Sequence, residues 1–181
     1  SHAALDPRLK RMIGFYGFGY VITATFLVAI VRGAPAIRAL EPVIWIVFGV
    51  AAMPSIALWT WIAAPIGLPR AFALACVVEA VGVLASVAWQ TTAGVFVAAI
   101  LVGGTFMALT ALGLMRGREL AQNGEPGGDA RRALALMTSA FGIGQIIGPY
   151  FAGIVSDWLG SFTVPSVAAA AALLIAAVLA K

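Results

Sequence analysis

The sequence predicts an all-α membrane protein of six transmembrane helices, arranged as a 3+3 inverted repeat. Three observations carry this. The chain of 181 residues is 62% hydrophobic and only 10% charged, whereas soluble domains carry ~25% charged residues. Its mean hydropathy is +1.05. The few charges fall between long uncharged runs at 12–31, 42–69, 80–115, 133–156 and 158–180, and a helix needs ~20 apolar residues to cross a bilayer core. The run at 80–115 is long enough to cross nearly twice. Gln90-Thr91-Thr92-Ala93-Gly94 supplies turn chemistry in its middle.

The predicted spans are 12–31, 42–63, 71–89, 94–115, 133–156 and 163–180. Residues 1–11 precede them as a cytoplasmic linker, and 116–132 form a cytoplasmic loop. With the N-terminus in the cytoplasm, Arg8, Lys10, Arg11, Arg70, Arg116, Arg118, Arg131, Arg132 and Lys181 fall inside and only Arg32 and Arg38 outside. That asymmetry is the positive-inside pattern and places both termini in the cytoplasm. Trp45, Trp59, Trp61, Trp89 and Trp158 fall near predicted span ends, where indoles favour the interface. The loop holds Gly124, Pro126, Gly127 and Gly128 among charges of both signs and reads as a solvated connector.

A weak internal echo supports the repeat. Gly49-x4-Pro54 in the second span matches Gly144-x4-Pro149 in the fifth, and loop glycines Gly67 and Gly160 follow. Inverted repeats are a transporter device. Small residues must hold helices together where lipid is as apolar as the core. The fifth span is rich in them: Gly142, Gly144, Gly148, Ala152 and Gly153. Gly144-x3-Gly148 permits close backbone approach, and Pro149 and Pro54 predict bends. Six helices alone leave this glycine-rich face uncovered, so a partner is expected on it.

Polar side chains at helical spacing mark candidate aqueous faces. These are Tyr16, Tyr20 and Thr23 on the first span, Ser55 and Trp59 on the second, Thr105 and Thr110 on the fourth, and Thr138, Gln145 and Ser156 on the fifth. Such residues face a water-filled cavity or hydrogen-bond to neighbouring helices. Glu79 is the one acidic residue deep in a span. An ionised carboxylate is costly there, so Glu79 is either a neutral acid bonded to a neighbouring helix or a proton-coupling group. The lone cysteine, Cys76, reads as a buried inert thiol, and His2 is given no role.

No zinc pattern, nucleophile elbow or phosphate-binding loop is present in the sequence, so neither an enzyme nor a cofactor is expected. The basic residues flank membrane spans and form no nucleic-acid surface.

Gly144-x3-Gly148-Pro149-x2-Ala152-Gly153-x3-Asp157-x2-Gly160 resembles the eleventh helix and following turn of a major facilitator superfamily (MFS) transporter. Residues 17–27 resemble the seventh helix of its YbfB/YjiJ-type branch. Ala64-Pro65-Ile66-Gly67-Leu68-Pro69-Arg70 sits where the family has a short basic loop, with only Gly67 and Arg70 corresponding. The resemblance implies the C-terminal half of a secondary transporter in a bacterial cytoplasmic (inner) membrane. It would work with an N-terminal half or a second copy of itself on a small-molecule substrate. It also implies that the first and fourth spans line a cavity and that the second and fifth meet the other half. The third and sixth would be peripheral. Tyr16, Tyr20, Thr23, Thr105 and Thr110 then become cavity candidates, and Ser55, Trp59, Gln145 and Tyr150 border the cavity. Asp157 becomes a structural turn residue, and Glu79 loses weight as a substrate ligand. The competing expectation is a non-transporting membrane scaffold or a truncated transporter remnant.

Overall fold

The structure is a computed structural model that describes residues 11, 14, 15, 17–19, 22, 38–123 and 130–180. Among these the secondary structure is helical, with no strand. Most of the first predicted span, including Tyr16, Tyr20 and Thr23, lies outside the described residues. Its described positions between Gly14 and Ile22 are helical and are called the first segment below.

A short turn of 3-10 helix, Arg38–Leu40, leads into α1 (Glu41–Ala52). Then follow α2 (Ser55–Ile66), α3 (Leu68–Ala88), α4 (Thr92–Asn123), α5 (Ala130–Leu159) and α6 (Thr163–Leu179). Among the described residues, four stretches are long and apolar enough to cross a membrane: Arg38–Ile66, Leu68–Ala88, Thr92–Arg116 and Thr138–Leu159. The α6 helix is apolar but has 17 residues, about 25 Å at the α-helical rise.

Element boundaries depart from expectation for local reasons. The second span is two helices, because Pro54 has no N–H to continue the ladder; Met53 and Pro54 form the junction. The α3 helix starts at Leu68 rather than 71: Pro69 occupies its first turn, where proline is favoured. Gly67 turns the chain at φ +85, a conformation that disfavours a Cβ. The α4 helix begins at Thr92 instead of 94, and Thr91 Oγ1 accepts a hydrogen bond from the Gly94 amide at 3.3 Å. A side chain on Gly94 would collide with the Trp89 carbonyl. The largest correction concerns the loop at 116–132. Helix α4 continues to Asn123 and α5 starts at Ala130, so both flanks of the expected connector are helical.

The core forms in two parts. The larger gathers Trp59 and Ala63 of α2, Phe72, Cys76 and Val83 of α3, Leu109 and Leu112 of α4, and Leu173 and Ala176 of α6. The smaller joins Ile44 and Phe48 of α1 to Val95, Ala98, Ala99 and Val102 of α4. Helix α6 packs against α3 and buries Ala169, Ala170 and Ala176, small residues that allow close approach where apolar burial alone gives no driving force. Helix α3 is the most enclosed candidate span, with 56% of its apolar window buried against 17% for Arg38–Ile66 and Thr138–Leu159. Helices α2, α4 and α6 pack around it.

The outside is apolar. Trp61, Ile146, Tyr150 and Trp158 are each more than 70% exposed. Soluble monomers rarely expose contiguous apolar surface on this scale.

Candidate functional site

A polar node forms at the middle of α4. Trp59 of α2 donates its indole N–H to the Gly104 carbonyl at 2.9 Å. The next residue, Thr105, places its hydroxyl 3.3 Å from Glu79 Oε2 on α3. The same hydroxyl lies 2.9 Å from the Leu101 carbonyl and 3.1 Å from the Val102 carbonyl. One proton therefore has three acceptors in reach. Glu79 is fully buried, and among the described residues its Oε1 has no hydrogen-bond partner.

Local sequence builds this node. Glu79, Gly82, Val83 and Ser86 recur at helical spacing and make one buried face of α3. A Cβ on Gly82 would sit 2.9 Å from Leu101 Cβ and 3.3 Å from the Val102 nitrogen. The missing side chain lets α3 reach α4 closely enough for the Glu79 carboxyl to meet Thr105. Trp59 and Ser55 do share a face, and it points inward: both are buried, and Ser55 Oγ bonds its own Ala52 carbonyl at 2.8 Å.

The other expected residues scatter. Thr110 is half-buried further along α4, and Gln145 is half-buried on α5. Thr138 is exposed, while Ser156 is buried and donates to the Gly153 carbonyl at 2.9 Å. Tyr150 and Asp157 are exposed. The structure thus brings Trp59, Thr105 and Glu79 into one node and leaves Gln145 and Thr110 apart from it. The acceptor Gly104 and the spacer Gly82 went unnoticed in the sequence; Gly82, one turn after Glu79, was the available signal.

The motif glycines play an inward role. Gly144 and Gly148 are buried against Gly14, Gly17, Phe18 and Ile22 of the first segment. Phe18 also stacks at 5.7 Å on Phe151. The surface expected to await a partner is covered at these positions by the chain itself. Gly142 and Gly153 have open space beside them. Gly160 turns the chain after α5 at φ +62, as Gly67 does after α2. Pro149 lies inside an unbroken α5, unlike Pro54. Among the described residues no group of three or more His, Cys, Asp or Glu could hold a metal ion.

Long apolar helices with an apolar exterior and a polar node buried between them define an integral membrane protein of the helical, many-spanning class. Within that class the chain belongs to the MFS transporters: the family described as "Uncharacterised MFS-type transporter YbfB" matches residues 7–181. Comparison with curated proteins and with solved structures gave no match. The family is one of transporters.

Proposed function

We propose that the chain is a six-helix half of a secondary active transporter that moves a small molecule across a bacterial cytoplasmic membrane by alternating access. Both termini are cytoplasmic in this reading, and the two sets of three helices are related as an inverted repeat. The positive φ at both Gly67 and Gly160 supports the repeat, because those glycines follow the matching Gly-x4-Pro patterns.

One observation carries the reading. The second and fifth spans, which the family likeness assigns to contact with the other half, are the two least enclosed candidate spans at 17% each. On α5 the exposed stripe runs through Ile143, Ile146, Ile147, Tyr150 and Ile154, which fits a second half, either a separate N-terminal chain or another copy. Glu79 is assigned to proton coupling, and the cavity to Tyr16, Tyr20, Thr23, Thr110 and Gln145 with the node residues at its edge. Uncharged aromatic and hydroxyl groups suit a neutral or amphipathic solute.

The test is uptake of a panel of neutral and amphipathic solutes into proteoliposomes under a proton gradient. The chain is reconstituted alone and with a matching N-terminal half. Uptake that needs both halves, and whose pH profile changes in Glu79→Gln, is the expected result. No uptake even with both halves favours a non-transporting scaffold. That second reading draws on Ser55, Trp59 and Thr105, whose polar atoms are all engaged within the bundle.

A further inference from the structure

We infer that Thr105 reads the protonation state of Glu79 and passes it to the backbone of α4, by reversing the hydrogen bond between them. The inference rests on the proton-coupling reading of Glu79 and adds the residue that acts on it.

The argument starts from counting protons. The Thr105 hydroxyl carries one hydrogen and faces three oxygens: Glu79 Oε2, the Leu101 carbonyl and the Val102 carbonyl. An ionised carboxylate is the strongest acceptor of the three. With Glu79 ionised, the hydroxyl donates to Oε2 and releases the backbone. With Glu79 protonated, the acid hydrogen on Oε2 donates to Thr105 Oγ1, and the hydroxyl turns to Leu101. A chain of bonds then runs from acid to hydroxyl to carbonyl. The hydroxyl lies 2.9 Å from the Leu101 carbonyl and 3.3 Å from Oε2, so both partners compete for it. Bonding of a threonine hydroxyl to the carbonyl four residues back bends a helix. Protonation of Glu79 therefore changes the bend of α4 at mid-span.

The surroundings isolate this signal. Among the described residues, the elements packed against α3 are α2, α4 and α6. Helices α2 and α6 carry no titratable residue. On α4 the ionisable groups are Arg116, Arg118 and Glu119, more than two turns beyond Thr105. On α3 itself they are Arg70, at its start, and Cys76, one turn before Glu79. No cation from these elements sits at Glu79. Its unpartnered Oε1 leaves Thr105 as the one side chain bonded to the carboxyl among the described residues. Because Glu79 is fully buried, its proton exchanges with water only when the packing around it opens. Proton exchange and a conformational step are tied together by that geometry.

The experiment is infrared difference spectroscopy of the full chain in lipid nanodiscs, titrated from acid to alkaline pH. The carboxyl C=O band absent from Glu79→Gln identifies Glu79. The expected result is a band that is lost on titration, with its frequency and midpoint displaced in Thr105→Val and restored in Thr105→Ser. A band that titrates identically in wild type and Thr105→Val overturns the relay and leaves proton coupling standing. A Glu79 band that never titrates overturns both. The serine variant preserves the hydroxyl, so a folding defect in the valine variant does not decide the outcome.

Discussion

Gly144 lies against the backbone of Phe18: a Cβ built on it would stand 2.6 Å from the Phe18 nitrogen. Backbone cannot move aside as a flexible side chain can. Gly144→Ala must therefore push the first segment off α5, and overpacking of this kind costs about 1–3 kcal/mol. Gly148→Ala meets the Phe18 carbonyl at 2.8 Å and is expected to behave alike. Gly142→Ala and Gly153→Ala, with open space beside them, are expected to leave stability unchanged or raise it slightly, since alanine favours helix. Thermal unfolding of the four variants in one detergent checks the contrast. Equal effects at all four would remove the crossing.

The Trp59 indole holds α2 to α4 across 45 residues of sequence. Trp59→Phe keeps most of the ring and deletes the donor to Gly104. The expected loss is about 1 kcal/mol, the usual net worth of one hydrogen bond. Trp61, 75% exposed, is the control, and Trp61→Phe is expected to leave the unfolding midpoint unchanged. Equilibrium unfolding followed by tryptophan fluorescence separates them.

The predicted spans at 42–63 and 71–89 located much of α1, α2 and α3, because a bilayer demands continuous apolar length and little else. The glycine pattern at Gly144 and Gly148 signalled close approach. It did not say that the visitor is Gly17 and Phe18 of the same chain. Partner choice depends on how helices lie side by side, and hydropathy is silent on that. Glu79 and Thr105 were each noticed separately as polar residues in apolar runs. Their meeting needed Gly82 to bring α3 against Leu101 and Val102. The end of α4 was misplaced for a different reason. Hydropathy falls at Arg116, where a helix leaves lipid. The residues that follow, Arg118, Glu119, Leu120 and Ala121, are good helix formers, so the helix runs on to Asn123. Hydropathy marks the edge of the membrane and not the end of the helix.

That extension is fastened weakly. Arg116 and Glu119 form an i, i+3 ion pair at 2.7 Å, with side chains 25% and 43% exposed. An exposed pair at this spacing contributes roughly 0.2–0.5 kcal/mol and is screened by salt. Glu119→Gln is expected to shift global stability by no more than that, and by less at high ionic strength. Amide exchange near residues 116–120 is the sensitive measurement, and faster exchange confined to low salt is the expected outcome.

Pro54 provides the sharpest local test. It divides the second span into α1, packed in the smaller core cluster through Ile44 and Phe48, and α2, packed in the larger through Trp59 and Ala63. The ladder stops where the Met53 amide bonds the Gly49 carbonyl and resumes where the Leu58 amide bonds the Pro54 carbonyl. Pro54 has no amide hydrogen for the Val50 carbonyl. Pro54→Ala supplies that donor and lets the ladder close across the junction. The expected gain is on the order of 1 kcal/mol for the added bond, with slower amide exchange at 53–56. If the junction also serves as a hinge between the two clusters, the same variant slows transport while raising stability. Measuring both on one preparation separates the roles: added stability with undiminished uptake would make the break a packing accommodation, and loss of uptake from a more stable protein would make it a moving part.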